Sequence, residues 1–167
     1  MDEPIRILQW GMTSNYGGIE MFIMNMYRYI NREKVQFDFL LGPNDPPIAF
    51  EDEILSMGGR IFRVMYPERE KPLTAGYRLR KFLKEHPEIK GVHVHANFPY
   101  AFPVAQAKKC GVSLRIIHSH NSNGKDSDGF KSKIRKLRIE KDILNAPIRL
   151  FKSCGRLDVW QCGIHMD

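Results

Sequence analysis

The chain has 167 residues, 43% hydrophobic and 27% charged, the make-up of an ordinary globular domain with a real core. Its opening, Met1-Asp2-Glu3-Pro4, is acidic, with neither the basic nor the apolar region of a signal peptide, and no apolar run is long enough to span a bilayer. A cytoplasmic location is therefore expected, and three cysteines, an odd count, do not suggest a disulfide framework.

Residues 5–10, "IRILQW", form a short apolar run before a glycine, the pattern of a first buried strand. Ile19, Phe22, Ile23, Met26 and Ile30 then recur at helical spacing. Residues 35–41, "VQFDFLL", read as a second strand, stopped by "GPNDPP". A short helix over 50–57 ends at Gly58-Gly59, and residues 60–64 make a third strand. Residues 72–87 predict a helix with Leu79, Phe82 and Leu83 inward and its basic side chains outward. A fourth strand over 91–97, a helix over 100–110 and a fifth strand over 113–120 follow. A polar loop, "NSNGKDSDG", then leads to a basic helix ending near Leu144. Strands and helices alternate, and several strands lack in/out alternation. The expected fold is α/β, a Rossmann-like doubly wound parallel sheet covered on both faces.

Three polar features follow strands, and in such sheets ligands gather at the carboxyl ends of the strands. The first is "SNYGGIEMF", residues 14–22. Glycines let a backbone approach a phosphate, and a helix N-terminus favours an anion. The spacing is neither G-x-G-x-x-G nor G-x-x-x-x-G-K-[ST], so Gly17-Gly18 reads on spacing alone as a tight strand-to-helix turn. The second is "VHVHAN", with His93 and His95 on one side of a strand. Two imidazoles with no nearby carboxylate make a weak metal signal, and hydrogen-bonded imidazoles at the sheet edge are favoured over ligation. The third is "IIHSHNSN", where His118, His120 and Asn121 enter a polar loop. Neutral histidine can exchange hydrogen bonds with a sugar hydroxyl or a phosphate oxygen. Four histidines in two strand-end clusters favour a site over a purely structural role. Cys154, Cys162 and His165 fit no structural zinc spacing, and no metal is expected.

The net charge of +7 is concentrated in residues 129–142. No aromatic-rich nucleic-acid signature accompanies it, so no nucleic acid is expected as a partner. The favoured reading of the basic helix is a solvated face. The alternative is peripheral contact with anionic lipid headgroups through Lys131, Lys133, Arg135 and Arg138, at an inner membrane face.

Taken together, "GGIEMFIMNMYRYINREKVQFDFLL", "EDEILSMGGRIFRV", "VHVHAN" and "GVSLRIIHSHNS" resemble the N-terminal domain of family 4 glycosyltransferases, retaining enzymes of the GT-B architecture found in bacterial surface polysaccharide synthesis. The resemblance covers about residues 5–144, so residues 1–144 are read as that domain and 145–167 as an atypical tail. It implies an acceptor-side domain facing a donor domain across a cleft. The substrates implied are a nucleotide sugar and an acceptor glycan or lipid-linked glycan, with no cofactor. The loop at Gly17 and Gly18 would face the donor diphosphate. His120 and His118 would stand nearest the reacting sugar, and His95, Asn97 and Asn121 would line the acceptor side. Glu20, in the first helical turn, would be structural.

The family also requires a donor-binding domain, which this sequence does not contain, so the chain is expected to need it in trans or to be an inactive fragment. Beyond residue 144 the family pattern is a strand leading to Cys-Ser, then Ala-Gly and Phe-Gly. Codons for Leu150-Phe151-Lys152 such as CTG-TTC-AAG, read one base later, give Cys-Ser-Arg, so a frameshift near residue 150 is one reading of the tail. An unrelated nucleotide-binding Rossmann module is disfavoured by the absence of the usual phosphate fingerprints.

Overall fold

The computed structural model describes residues 3–65, 76–95, 102–119 and 149–152, with Ser119 and the last four as backbone alone. The elements run β1 (Ile5–Trp10), α1 (Gly18–Tyr29), β2 (Val35–Leu41), α2 (Glu51–Ser56), β3 (Arg60–Arg63), α3 (Tyr77–Glu85), β4 (Ile89–His95), α4 (Phe102–Lys109), β5 (Leu114–Ser119) and β6 (Arg149–Lys152). The six strands are all parallel in the order β3-β2-β1-β4-β5-β6. That is the doubly wound order, in which the chain returns to the middle after β3 and builds outward on the other side of β1. The point of reversal lies between β1 and β4.

Side-chain alternation distributes the core over the two faces. Leu8 and Trp10 of β1, Val92 and Val94 of β4 and Ile117 of β5 pack with Leu79, Phe82 and Leu83 of α3 and Val104 and Ala107 of α4. On the other face Phe37, Phe39 and Leu41 of β2 meet Ile23, Met24 and Tyr27 of α1 and Ile54 of α2. Both faces are covered, so β2 is buried without interruption from Phe37 to Leu41. Helix α1 buries Glu20, Ile23, Met24 and Tyr27, an i, i+3, i+4, i+7 stripe. Burial pushes the Tyr27 phenol up to about 12, and its hydroxyl donates to Gln36 Oε1 at 2.5 Å.

At the amino end of the sheet, Asp38 of β2 is fully buried between two arginines. Arg6 donates from Nε at 2.7 Å and Nη2 at 2.6 Å, and Arg60 from Nε at 3.1 Å and Nη2 at 2.7 Å. The Asp38 carboxylate raises the Arg60 pKa. Arg60 also reaches Glu88 at 2.9 Å, tying β3 to the start of β4. This network holds the end of the sheet opposite the candidate site.

Within the described residues the predicted elements fall where the structure has them, with shifted ends. The fourth strand begins at Ile89 rather than residue 91, since Ile89 is itself buried and ladder-paired to Arg6. The third helix is described from Tyr77, after Gly76 at φ +81. Strand β6 lies within the segment read as an atypical tail, where the family pattern has a strand, and runs beside β5 from Ile116 to Ser119. The basic helix, with Lys131, Lys133, Arg135 and Arg138, lies outside the described residues, as do Cys154, Cys162 and His165.

Candidate functional site

The β1–α1 loop is built around a glycine that the spacing argument passed over. Gly11 leaves β1 at φ +107, and a Cβ there would lie 2.2 Å from the carbonyl oxygen of His95. Only glycine combines that conformation with such close contact to the end of β4. The loop is then fastened at several points. Thr13 donates from its backbone N–H and its hydroxyl to Glu20 Oε1, at 3.0 and 2.7 Å. Its carbonyl accepts from Ala49 N–H at 2.9 Å, and its hydroxyl accepts from Asn15 N–H at 3.2 Å. The Tyr16 ring meets Phe50 edge-on at 4.8 Å, and Phe50 stands at φ 61, the one non-glycine positive φ among the described residues. The buried carboxylate of Glu20 thus latches the loop.

Gly17 is the N-cap of α1 at φ −96, and no side chain among the described residues caps the helix. Glycine is therefore not required there by backbone angle. What it leaves is bare backbone: among the described residues no heavy atom lies within 4 Å of a Cβ placed on Gly18, and at Gly17 the nearest is Glu20 Oε2 at 3.0 Å. The first-turn N–H groups of a twelve-residue helix point outward here with the positive end of its dipole, and anions bind well in such a place.

One turn into α1, Phe22 touches the histidines. Its ring centroid is 4.6 Å from His118 and 6.1 Å from His95, both edge-on. Counting four residues at 1.5 Å each, the helix start lies about 6 Å along the axis from that contact. His95 of β4 and His118 of β5 are register partners, and His93 pairs with Gln9 of β1. The three rings lie 3.9, 5.8 and 5.5 Å apart between centroids, and all are buried. His95 Nε2 lies 3.0 Å from Gln9 Oε1, so with the amide oxygen accepting, that nitrogen carries the proton.

The structure therefore gathers Gly17, Gly18, His95 and His118 at the α1 side of the β1/β4 reversal. His118 is 2% exposed and packs beneath Phe22, so it supports the floor of the site rather than lining an open surface. His120, Asn97 and Asn121 lie outside the described residues. The expected set lacked Gly11, Gln9 and Thr13. Gly11 was legible as the glycine ending the first apolar run, and Gln9 as one of two polar residues in that run, the other being Arg6; Thr13 carries no comparable signal.

Fold and site together define a Rossmann-like domain with an exposed glycine turn at the switch point and a histidine floor beside it. The family model described as Glycosyltransferase Family 4 matches residues 16–164. EpsF of Bacillus subtilis (strain 168), named as a candidate glycosyltransferase, is 39% identical over 150 residues, which are 90% of this chain and 38% of that protein. The chain belongs to glycosyltransferase family 4. It spans well under half the length of the curated relative it matches. Among solved structures, MurG of Acinetobacter baumannii superposes with a TM-score of 0.56 at 15% identity, over 90% of this chain and 41% of that one. A structure titled as a short-chain alcohol dehydrogenase candidate from Burkholderia multivorans gives 0.53 at 10% identity, over 89% and 82%. At those identities the likeness is one of fold. No helix among the described residues is long and apolar enough to cross a membrane.

Proposed function

We propose that this chain is the acceptor-side half of a retaining glycosyltransferase, which moves a sugar from a nucleotide donor to an acceptor hydroxyl in bacterial surface polysaccharide synthesis. The observation that carries the reading is the uncapped start of α1 at Gly17-Gly18, on a loop held rigid by Gly11, Thr13 and Glu20. Transfer leaves negative charge on the departing nucleotide diphosphate. Backbone N–H groups fixed in advance stabilise that charge in the transition state without reorganising. The family membership supplies the reaction class, and the name of the Bacillus subtilis relative agrees with it.

In this reading His120 stands beside the reacting sugar and His118 holds the floor beneath it. His95, Asn97 and Asn121 face the acceptor glycan or lipid-linked glycan. No metal or other cofactor takes part in the transfer. The donor-binding half lies outside these 167 residues, on the same polypeptide or another. Peripheral contact of Lys131, Lys133, Arg135 and Arg138 with anionic lipid stays the second reading of the basic segment, behind a solvated face, and flotation with anionic against neutral vesicles decides between them.

The test of the function is a transfer assay with a panel of nucleotide sugars, run with and without the donor half. Turnover only with both halves, and a product anomeric configuration matching the donor by NMR, is expected. Turnover by the 167-residue chain alone, or an inverted product, overturns the reading.

A further inference from the structure

The geometry points to a site for one zinc-class divalent cation on His93, His95 and His118, two of which, His95 and His118, the sugar-transfer reading also uses. One nitrogen from each ring lies within 4.8 Å of the other two, and all three residues are buried. Two come from β4 at i and i+2 and the third from β5, where it is the register partner of His95, so the ladder itself fixes their spacing. This third ligand is what the sequence reading of a lone histidine pair did not have.

Donor chemistry sets the class of ion. Three imidazoles with no carboxylate in the set select zinc, cobalt, nickel or copper over magnesium or calcium. Zinc–nitrogen bonds of about 2.0–2.1 Å place tetrahedral ligand atoms roughly 3.3 Å apart, so closing from 4.8 Å asks each imidazole to move by under about 1 Å. Gln9 supplies the outer contact: its oxygen at 3.0 Å from His95 Nε2 holds the proton there and directs an ion to Nδ1. Three protein ligands leave a fourth position for water. An ion so held would pin β5 to β4 where β6 joins the sheet.

Cobalt(II) titration of the chelator-treated chain reads this directly. One equivalent should bind with the intense visible bands of four-coordinate cobalt and no thiolate charge-transfer band, and binding should weaken as pH falls and imidazoles protonate. His93→Gln and His118→Gln should each weaken binding at least about tenfold, while His86→Gln, at a histidine paired with Glu88 instead, should leave it unchanged. X-ray absorption at the zinc edge of the unmutated chain should give three imidazole nitrogens, a readout independent of whether any variant folds. The proposal is overturned by no stoichiometric binding, by binding that survives both replacements, or by a sulfur-ligated spectrum from Cys110, Cys154 or Cys162. Because no transfer assay enters, these results leave the proposed enzymatic function to its own test.

Discussion

Replacing Gly11 with alanine tests how the loop is held. At φ +107 a residue with a Cβ costs on the order of 1–3 kcal/mol in backbone strain. The added carbon would also sit 2.2 Å from the His95 carbonyl oxygen, a backbone atom of a central strand that cannot rotate away. Overpacking of that kind costs a further ~1–3 kcal/mol. The sum, about 4 kcal/mol, is a large part of the 5–15 kcal/mol typical of a domain. It corresponds to a fall of roughly 10 °C in melting temperature for a chain of this size. Gly111→Ala separates the two contributions. It too has positive φ, at +76, but no heavy atom within 4 Å among the described residues, so it should cost only about 1 kcal/mol. Urea unfolding followed by circular dichroism, with unchanged m-values, measures both. Equal losses for the two variants, or a loss under about 1 kcal/mol for Gly11→Ala, would refute the close packing of loop on strand.

The other predictions concern the sheet that carries the site. Asp38→Ala strands Arg6 and Arg60 and should cost about 3 kcal/mol, the low end for a broken buried ion pair because Arg60 is 38% exposed; a loss below 1 kcal/mol in urea counts against it. Tyr27, raised from 10.0 to about 12, contributes stability that is complete below pH 10 and lost as pH rises toward 12, since only the unfolded phenol ionises in that window. Alkaline melting of the native chain should therefore show a stability decline there that Tyr27→Phe lacks. Glu88 is pushed up by burial, but hydrogen bonds from its own backbone N–H, His86 and Arg60 outweigh this and lower its pKa. The stability it adds is present above its ordinary value of 4.5 and fades as pH falls through the lowered one, so Glu88→Gln should flatten the acid limb of a melting curve.

Much of this architecture was legible because it rests on local signals. The stripe Ile19, Phe22, Ile23, Met26 marked α1, and "VQFDFLL", alternating and then apolar from Phe39 to Leu41, marked β2. What the sequence could not carry is long-range. Gly11 looks like any strand-ending glycine until β4 is beside it and His95 supplies the oxygen it must avoid. His93 and His95 read as a pair because the third imidazole comes from a strand 23 residues further on, brought in by ladder register. Asp38 looked like the polar position of an alternating strand, yet it is fully buried, which only the converging Arg6 and Arg60 make tolerable. Strand β6 is four residues in a polar, basic context, too short to announce itself.

The central claim, that the start of α1 stabilises charge on a departing phosphate, is tested most directly by Gly18→Pro in the transferase assembled with its donor half. Gly18 opens the helix, where proline is well tolerated. Gly17 before it is already extended at ψ −173, as a residue preceding proline prefers, and no heavy atom among the described residues lies within 4 Å of a Cβ placed on Gly18. The substitution therefore deletes one backbone N–H and little else. The account predicts wild-type thermal stability with kcat lowered by about a hundredfold, the loss typical of one removed oxyanion donor. Wild-type kcat in a stably folded Gly18→Pro enzyme would contradict it.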